Sequence, residues 1–223
     1  MSTNPLSLEF NQFFIELAAN NHKQWFDENR KRYETVIKKP FEEFTALLIN
    51  AVNKENPKVN PLPKQCIFRI NRDIRFSKDK TPYKLNRSAA ININGRKDMS
   101  PTGLYVELGP EHVRVYRGIY QLERADIYKV RSYMSRNNNK LQNLIQDKDF
   151  EKLFGDINGV KAKRIEKELR ESAEKQPLLL NKQWYVYNTM DPSEVTSPNL
   201  IDKVMDRYRV ADPLSKFLAK ALH

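Results

Sequence analysis

Cysteine and glycine are both scarce in this chain of 223 residues, which has one cysteine, Cys66, and six glycines. A single cysteine excludes an intramolecular disulfide and any zinc site built on paired cysteines. The glycine-rich phosphate loop and the GxGxxG dinucleotide-binding pattern, which need glycines at fixed spacing, are both absent. The sequence therefore excludes disulfide-rich folds, zinc knuckles and the most common nucleotide-binding motifs.

Long apolar runs are also missing from the chain. No stretch approaches the ~20 apolar residues that a membrane-spanning helix needs. The sequence does not open with a basic segment followed by an apolar run, which is the pattern of a signal peptide. We therefore expect no membrane insertion, no signal peptide and a cytoplasmic location.

Histidine is rare as well, and His22, His112 and His223 lie far apart in the sequence. Their spacing does not suit zinc, and isolated histidines do not establish a Ser-His-Asp arrangement. We expect surface histidines, no metal site, and a Cys66 that is a small packed residue rather than a nucleophile. The sequence identifies no cofactor.

Positive charge is what the chain has in excess. It carries 39 Lys and Arg against 28 Asp and Glu, a formal net charge of +11 and a pI near 9.6. Such a balance favours an anionic partner, which could be a small phosphorylated molecule, a nucleic acid or an acidic membrane surface. A lysine-rich surface kept soluble by its charge is the plainer reading. The distribution of the charge has to decide between them.

Apolar residues recur at helical spacing near the N-terminus. Ser7 can cap a first helix, which would bury Phe10, Phe13, Phe14 and Leu17. A second helix follows from Asn21 to about Lys38, and Pro40 either ends it or opens a third. Residues 64–118 change to strand-like alternation, with predicted strands at 68–76, 88–93, 104–108 and 113–115.

From Glu123 the pattern is helical again, with breaks at residues 137–139 and at Gly155. Residues 156–190 are ambiguous, except that Trp184-Tyr-Val-Tyr187 has the composition of a strand. Ser197-Pro198 is a good helix start, and Pro213 is expected to interrupt this last helix.

Helices, then strands, then helices predict an α+β fold. We expect a central, mainly antiparallel sheet of about four to five strands, flanked by N-terminal and C-terminal helices. No linker divides the chain, so residues 1–223 are predicted to form a single domain. Its parts are a helical segment at 1–55, the sheet at 64–118, and a helical segment at 123–223 with a further strand near 184–187.

The charge is concentrated in one segment. Between Arg69 and Arg87 there are seven cations, which are opposed only by Asp73 and Asp79. So many like charges repel one another unless solvent, acidic groups or a bound anion compensates them. Arg72 also falls on the apolar face of the predicted strand at 68–76, so it needs a specific partner if that face is buried.

We interpret this segment as a pocket for a phosphate- or carboxylate-bearing ligand, because guanidinium groups present paired donors to such oxygens. Asp73 could orient an arginine or act as the acid or base of a reaction, and whether the protein is an enzyme stays open. The predicted ligand-binding residues are Arg30, Arg69, Arg72, Arg75, Lys78, Lys80, Tyr83 and Lys84.

Three alternatives accompany this interpretation. The cations could form an internal ion-pair network with acids elsewhere, such as Glu28, Glu34 or Glu107. The same basic surface could bind nucleic acid without catalysis, with help from tyrosines. The protein could also be an interaction module whose basic motif is purely structural. Oligomeric state is not readable from the sequence.

Two motifs resemble the bacterial and fungal family known as domain of unknown function 2461. The first is Asn-Asn-x-x-Trp-Phe at residues 20–26, continuing to Arg30, Tyr33 and Pro40. The second is the long basic pattern at residues 69–84. Tyr-Val-Glu-Leu at 105–108, Gly118 and Ser-Pro-Asn-Leu at 197–200 extend the resemblance over nearly the whole chain.

The resemblance implies the location of the site, but it does not imply a particular reaction. One segment departs from the family's pattern. Where relatives place proline and glycine after a Lys-x-Lys-Arg sequence, Lys161–Arg164 of this chain leads into Ile-Glu-Lys-Glu-Leu. No inherited role is carried over to that segment.

Overall fold

The structure, a computed structural model, describes residues 4–223 and begins with a run of helices. They are α1 (Leu8–Ala19), α2 (Lys23–Glu28), α3 (Arg30–Arg32), α4 (Lys39–Glu55) and α5 (Pro63–Cys66). A π-helical stretch, Tyr33–Lys38, joins α3 to α4. Pro40 lies in the first turn of α4, where a missing N–H needs no partner within that helix. Pro40 therefore opens the third predicted helix rather than ending the second.

Four antiparallel strands form one sheet in the order β1-β2-β3-β4. They are β1 (Arg87–Ile91), β2 (Leu104–Leu108), β3 (Val113–Ile119) and β4 (Trp184–Met190). Along β2 and β3 every second residue is buried, as expected for strands with one face on a core. The predicted α+β fold is confirmed.

The predicted strand at residues 68–76 is wrong. The structure has no strand there, only isolated antiparallel bridges between Ile67 and Ala89 and between Asn71 and Tyr83. The side chain of Phe76 is 96% exposed instead of lying on a buried face. Alternation alone does not make a strand, because the backbone also needs a partner along its length. Residues 71–83 are a loop, called the basic loop below.

The C-terminal part is mainly helical. Its helices are α6 (Arg124–Arg136), α7 (Asn138–Ile145), α8 (Lys148–Phe154), α9 (Arg170–Lys175) and α10 (Leu200–Lys220). The ambiguous stretch contains two 3-10 turns, Lys167–Leu169 and Pro177–Leu180, and the predicted strand near 184–187 is β4. The expected interruption at Pro213 is wrong, because α10 continues through that residue.

Contacts divide the chain into two compact units, and neither is a continuous segment. The first unit holds the described residues up to Asp98, with Tyr105–Val115 and Thr189–Met205. The second holds Met99–Leu104, Tyr116–Asn188 and Asp206–His223. Within residues 4–223, no helix has the length and apolar character that crossing a membrane requires.

Each unit buries its own apolar side chains. The first unit is rich in buried phenylalanines from α1 and α4, which are Phe10, Phe13, Phe14, Phe41 and Phe44. The second unit packs Trp184 of β4 with α6 and α10, including Met134 and Phe217. The basic loop belongs to the first unit, so the predicted site is built on the helices and strands of that unit.

Candidate anion site

The base of the basic loop is closed by short antiparallel pairing. The backbone N–H of Arg72 donates to the carbonyl of Pro82 at 2.9 Å, and the N–H of Lys84 donates to the carbonyl of Ile70 at 2.9 Å. Two hydrogen bonds so close to the bridge between Asn71 and Tyr83 hold the ends of the loop together. The charged residues between these ends therefore form a loop that is closed at its base.

Asn21 attaches this base to the N-terminal helices. Its side-chain N–H donates to the carbonyl of Tyr83 at 2.9 Å, and its amide oxygen accepts the Tyr83 N–H at 3.1 Å. The Tyr83 ring is buried and stacks on Phe26 of α2, with centroids 4.0 Å apart. The motif at residues 20–26 thus holds the end of the basic loop, and Tyr83 serves as an anchor whose ring is covered.

Arg72 organises the tip of the basic loop. Its guanidinium donates to the carboxylate of Asp79, the hydroxyl of Thr81 and, at 3.1 Å, the carbonyl of Thr81. The backbone N–H of Thr81, followed by Arg72, lowers the pKa of Asp79. Arg72 was expected to need a specific partner if it lay on a buried strand face; no strand forms there, and its partners are Asp79 and Thr81 of the basic loop.

Arg75 and Lys80 also find partners within the basic loop. Arg75 Nε and one terminal nitrogen donate to the two carboxylate oxygens of Asp73 at 3.0 and 2.8 Å. Lys80 Nζ donates to the carbonyl of Ile74 at 2.9 Å. The hydrogen bond from Arg75 lowers the pKa of Asp73, so this carboxyl stays ionised and is a weak base. Asp73 therefore has the geometry of an orienting residue.

The acids named for an internal network do not pair with these cations. Glu34 binds Lys38 at 2.8 Å, and Glu107 binds His112 at 2.8 Å. Arg30 pairs with Asp27 on its own helical segment at 2.5 Å. Arg72 and Arg75 are therefore ion-paired, but with Asp79 and Asp73 of the basic loop and not with the acids elsewhere that this alternative named.

Arg69 and Lys78 are the exposed cations of the motif that stay unpaired. Among residues 4–223, neither side chain has a hydrogen bond or ion pair. Lys78 lies in the basic loop, whereas Arg69 precedes it and lies close enough to Lys84 to affect its pKa. The eight predicted ligand-binding residues thus divide into paired, anchoring and unpaired groups.

Lys84 follows the basic loop and is half-buried. Its ammonium nitrogen lies 5.5 Å from the centroid of the Phe68 ring. Burial lowers the pKa of Lys84, and the positive charges of Arg87 and Arg69 lower it further, while Glu107 opposes them. Desolvation and like charge both disfavour the protonated form, which an anion in contact would favour.

Arg87, the first residue of β1, is the most unusual cation of the segment. It is only 5% exposed, its guanidinium lies 5.4 Å from the centroid of the Phe41 ring, and its Nε is buried without a hydrogen-bond partner. Burial lowers the pKa of Arg87, and the nearby Tyr33 and Glu42 only partly oppose this effect. An arginine nevertheless stays charged in a protein.

Arg117 in the second unit shows how a buried arginine is normally satisfied. Its side chain donates to the Ser215 hydroxyl at 3.1 Å and to the Asp212 carboxylate at 3.2 Å. Arg87 has no such partners among the described residues. The contrast marks Arg87 as a buried cation without a hydrogen-bonded counter-charge in the part of the chain that the structure describes. Lys84 lies close enough to both Arg87 and Arg69 for their charges to lower its pKa, and we call these three residues the cation cluster.

Arg87 is one of the seven cations of the segment but is not among the predicted ligand-binding residues. The signal was available, because Arg87 shares the register of Ala89 and Ile91, the apolar residues of the same strand. A cation in that register is expected to be buried, by the same reasoning that singled out Arg72.

A cavity of about 210 Å³ lies near the cation cluster in sequence, and its lining is Leu85, Asn86, Gly109, Pro110, Glu111 and His112. Neither Lys84 nor Arg87 lines it, so this cavity is not the cation cluster.

Cys66 is buried as expected, and burial raises its pKa to about 11, which keeps the thiol protonated at neutral pH. Within residues 4–223 no group of three or more His, Cys, Asp and Glu side chains could hold a metal ion.

Fold and site together define an α+β protein with a cation cluster, centred on the buried Arg87, next to a basic loop whose ends are anchored. The chain belongs to the family described as Conserved hypothetical protein (DUF2461), whose model matches residues 9–217. This agrees with the resemblance of the two sequence motifs. A search among curated proteins finds no match.

Proposed function

We propose that the protein binds a small phosphate- or carboxylate-bearing molecule at the cation cluster of Arg69, Lys84 and Arg87. The observation that carries this proposal is the buried guanidinium of Arg87, whose Nε has no hydrogen-bond partner. An isolated buried charge is expensive, whereas one that is paired and hydrogen-bonded is tolerated. A bound anion would supply both the charge and the acceptors.

Lys84 supports the same conclusion from a different property. Its pKa is lowered by burial and by two neighbouring cations, so its charged form is disfavoured without a ligand. A dianionic group in contact with the cluster would reverse the direction of that shift. Planar donors from arginine and a mobile ammonium from lysine are a common combination for recognising phosphate.

The remaining members of the predicted site have supporting parts in this proposal. Asn21 and Tyr83 fix the end of the basic loop, and Arg72 shapes its tip. Lys78 is exposed and unpaired, and we assign it no contact with the ligand. We propose binding and no reaction, since the predicted acid or base, Asp73, is held ionised by Arg75.

Ligand-induced thermal stabilisation tests this proposal. A ligand that binds only the folded state raises the melting temperature as its concentration passes Kd. We expect saturable stabilisation by at least one member of a panel of inorganic phosphate, pyrophosphate, sugar phosphates and di- and tricarboxylates. The stabilisation should disappear in Arg87→Met and in Lys84→Met.

Lys78→Met is the matched control, since it removes the same charge from an exposed position of the basic loop. It should keep most of the stabilisation. Equal stabilisation of the wild type and Arg87→Met by every active anion would overturn the proposed site. Equal losses in all three variants would mean that net charge, rather than the cation cluster, governs binding.

The proposed setting is the cytoplasm, where phosphorylated metabolites are made and consumed. Cell fractionation tests this location directly. The protein should be recovered with cytoplasmic marker proteins at physiological salt. Recovery in a membrane pellet that resists a high-salt wash would contradict it.

A further inference from the structure

The second unit carries four neighbouring tyrosines on strands β3 and β4. Tyr116 lies 6.4 Å from Tyr185 and 5.3 Å from Tyr187, measured between ring centroids. Tyr120, which follows the end of β3, lies 5.5 Å from Tyr185. The four rings are therefore in continuous contact, and we call them the tyrosine platform.

The strands fix the side of the sheet on which these rings lie. Arg117 and Ile119 of β3 are buried, as are Trp184 and Val186 of β4. Side chains alternate along a strand, so Tyr116, Tyr185 and Tyr187 project from the opposite face. Their positions follow from the register and need no flexible loop.

Gly118 brings the two strands of the tyrosine platform close together. Its φ is +113°, and a Cβ at this position would come within 2.3 Å of the Trp184 carbonyl oxygen. With no side chain at 118, the Tyr185 ring lies between Tyr116 and Tyr120, in contact with both. The close approach of β3 and β4 in the tyrosine platform therefore requires glycine at position 118.

The platform is open to solvent at two of its members. Tyr120 is 65% exposed and Tyr187 is 37% exposed, while Tyr116 and Tyr185 are half-buried by their neighbours. The solvent face of an antiparallel sheet normally carries polar side chains. A contiguous set of four rings with two exposed members on such a face is a feature of binding surfaces.

Positive charge borders the tyrosine platform. The segment before α9 pairs with β4 and with the residues just before it, since Asn158 bridges Tyr185 and Lys161 bridges Asn181. These two paired stretches carry exposed cations at Lys161, Lys163, Arg164 and Lys182. Asp156 is the one acid between Gly155 and Ile165. The border is thus strongly cationic, and it includes the segment where this chain departs from its family's pattern.

We propose that the tyrosine platform binds single-stranded nucleic acid. Exposed rings stack on unpaired bases, and the bordering lysines and arginine contact the phosphates that connect them. Every base has a π-face, so aromatic platforms of this kind tolerate many sequences. The aromatic sheet faces that bind single-stranded RNA in other folds combine the same two features.

The arrangement favours a single strand over other anionic partners. In a duplex the bases are stacked on each other and their faces are not available to side chains. A membrane surface is usually met by an amphipathic helix that buries apolar side chains, whereas these are hydroxyl-bearing rings set side by side on a sheet. This platform is separate in sequence from the cation cluster, and the proposal does not depend on the proposed function.

Fluorescence anisotropy with labelled homopolymers of thymidine and uridine tests the proposal on the full chain. We expect binding to both single strands and at least about ten-fold weaker binding to a duplex of the same length. Each of Tyr120→Ala and Tyr187→Ala should weaken single-strand binding by about five-fold or more, the loss expected for one stacked base. Tyr120→Phe should keep the affinity, since stacking needs the ring and not the hydroxyl.

Tyr128→Ala is the matched control, because Tyr128 is 40% exposed in the second unit but does not belong to the tyrosine platform. It should leave the affinity unchanged. Lys161→Ala and Lys182→Ala should each reduce the slope of log affinity against log salt by about 0.7, whereas the exposed Lys140→Ala should not. Wild-type affinity in both Tyr120→Ala and Tyr187→Ala, or no binding to single strands at low salt, would overturn the proposal.

Discussion

Arg87 and the cations of the basic loop differ in whether the folded chain supplies them with partners. The loop cations Arg72, Arg75 and Lys80 are satisfied by the loop itself, so their number alone does not imply a ligand. Arg87 is buried with an unpartnered Nε. At the residue scale, a missing partner is therefore better evidence of a binding site than a high density of charge.

Replacing Arg87 should not lower the free energy of unfolding, whereas replacing a buried arginine that has its partners should. Arg87→Met removes an uncompensated buried charge and keeps an apolar side chain of similar length. We expect the free energy of unfolding without ligand to stay constant or to rise by about 1 kcal/mol. Urea unfolding of the ligand-free protein measures this change.

The partnered Arg117 provides the comparison. Arg117→Met leaves the Asp212 carboxylate and the Ser215 hydroxyl without this donor, so we expect a loss of roughly 3 kcal/mol. If Arg87→Met were as destabilising as Arg117→Met, Arg87 would have structural partners and the account of an unpaired charge would be wrong.

Lys84 should make the affinity for an anion fall as the pH rises through the alkaline range. Its pKa is lowered in the folded protein, so with rising pH it loses its proton before an unfolded-state lysine does. The unfolded state then binds more protons, and the stability of the ligand-free protein should rise with pH between the lowered pKa and the ordinary lysine value. Affinity for an anion should fall over the same window.

Sulfate is a suitable probe, since its own charge is constant in this range. Calorimetric titrations at a series of alkaline pH values should show a sulfate affinity lower than that at pH 7. The fall should begin at a pH below the ordinary pKa of lysine. Lys84→Arg should move the fall to higher pH, because the guanidinium stays charged. A wild-type affinity that is constant up to the ordinary lysine range would show that Lys84 takes no part in binding.

Among the elements, the basic loop depends on the connection between α1 and α2, which anchors it. Asn21 makes two hydrogen bonds to the backbone of Tyr83, and each such bond contributes about 1 kcal/mol. Asn21→Ala should lower the free energy of unfolding by roughly 2 kcal/mol. It should also speed tryptic cleavage after Lys78 and Lys80, because the base of the loop opens more often.

Gln24→Ala is the control for this element, since the Gln24 side chain bonds Glu28 on the exposed side of α2. It should change neither stability nor cleavage appreciably. Unchanged cleavage in Asn21→Ala would contradict an anchoring role for the first sequence motif.

Most of the regular elements could be predicted from the sequence, and the basic segment could not. The helix from Leu8, the strands β2 and β3 and the strand near Trp184 each have a periodicity that packing then supports. The segment at 68–76 has a strand's alternation but lacks a partner strand, and partners are a property of the whole fold. Arg87 could have been identified from its register, whereas the pairing of Arg75 with Asp73 required the coordinates.

For the whole molecule, the net charge of +11 predicts an anionic partner without saying where it binds. The structure offers two surfaces, each within one unit. The cation cluster in the first unit is small and has the buried Arg87 at its centre, whereas the tyrosine platform in the second unit has two exposed rings. A polyanion should therefore compete with ligands of the second surface more effectively than with ligands of the first.

The most direct test of the central claim is the thermal shift of wild type and Arg87→Met with the same anion at increasing concentration. We expect a saturable rise in the melting temperature of the wild type and none in Arg87→Met, although the variant without ligand is at least as stable. An equal saturable rise in both proteins would contradict the proposal that the guanidinium of Arg87 binds the anion.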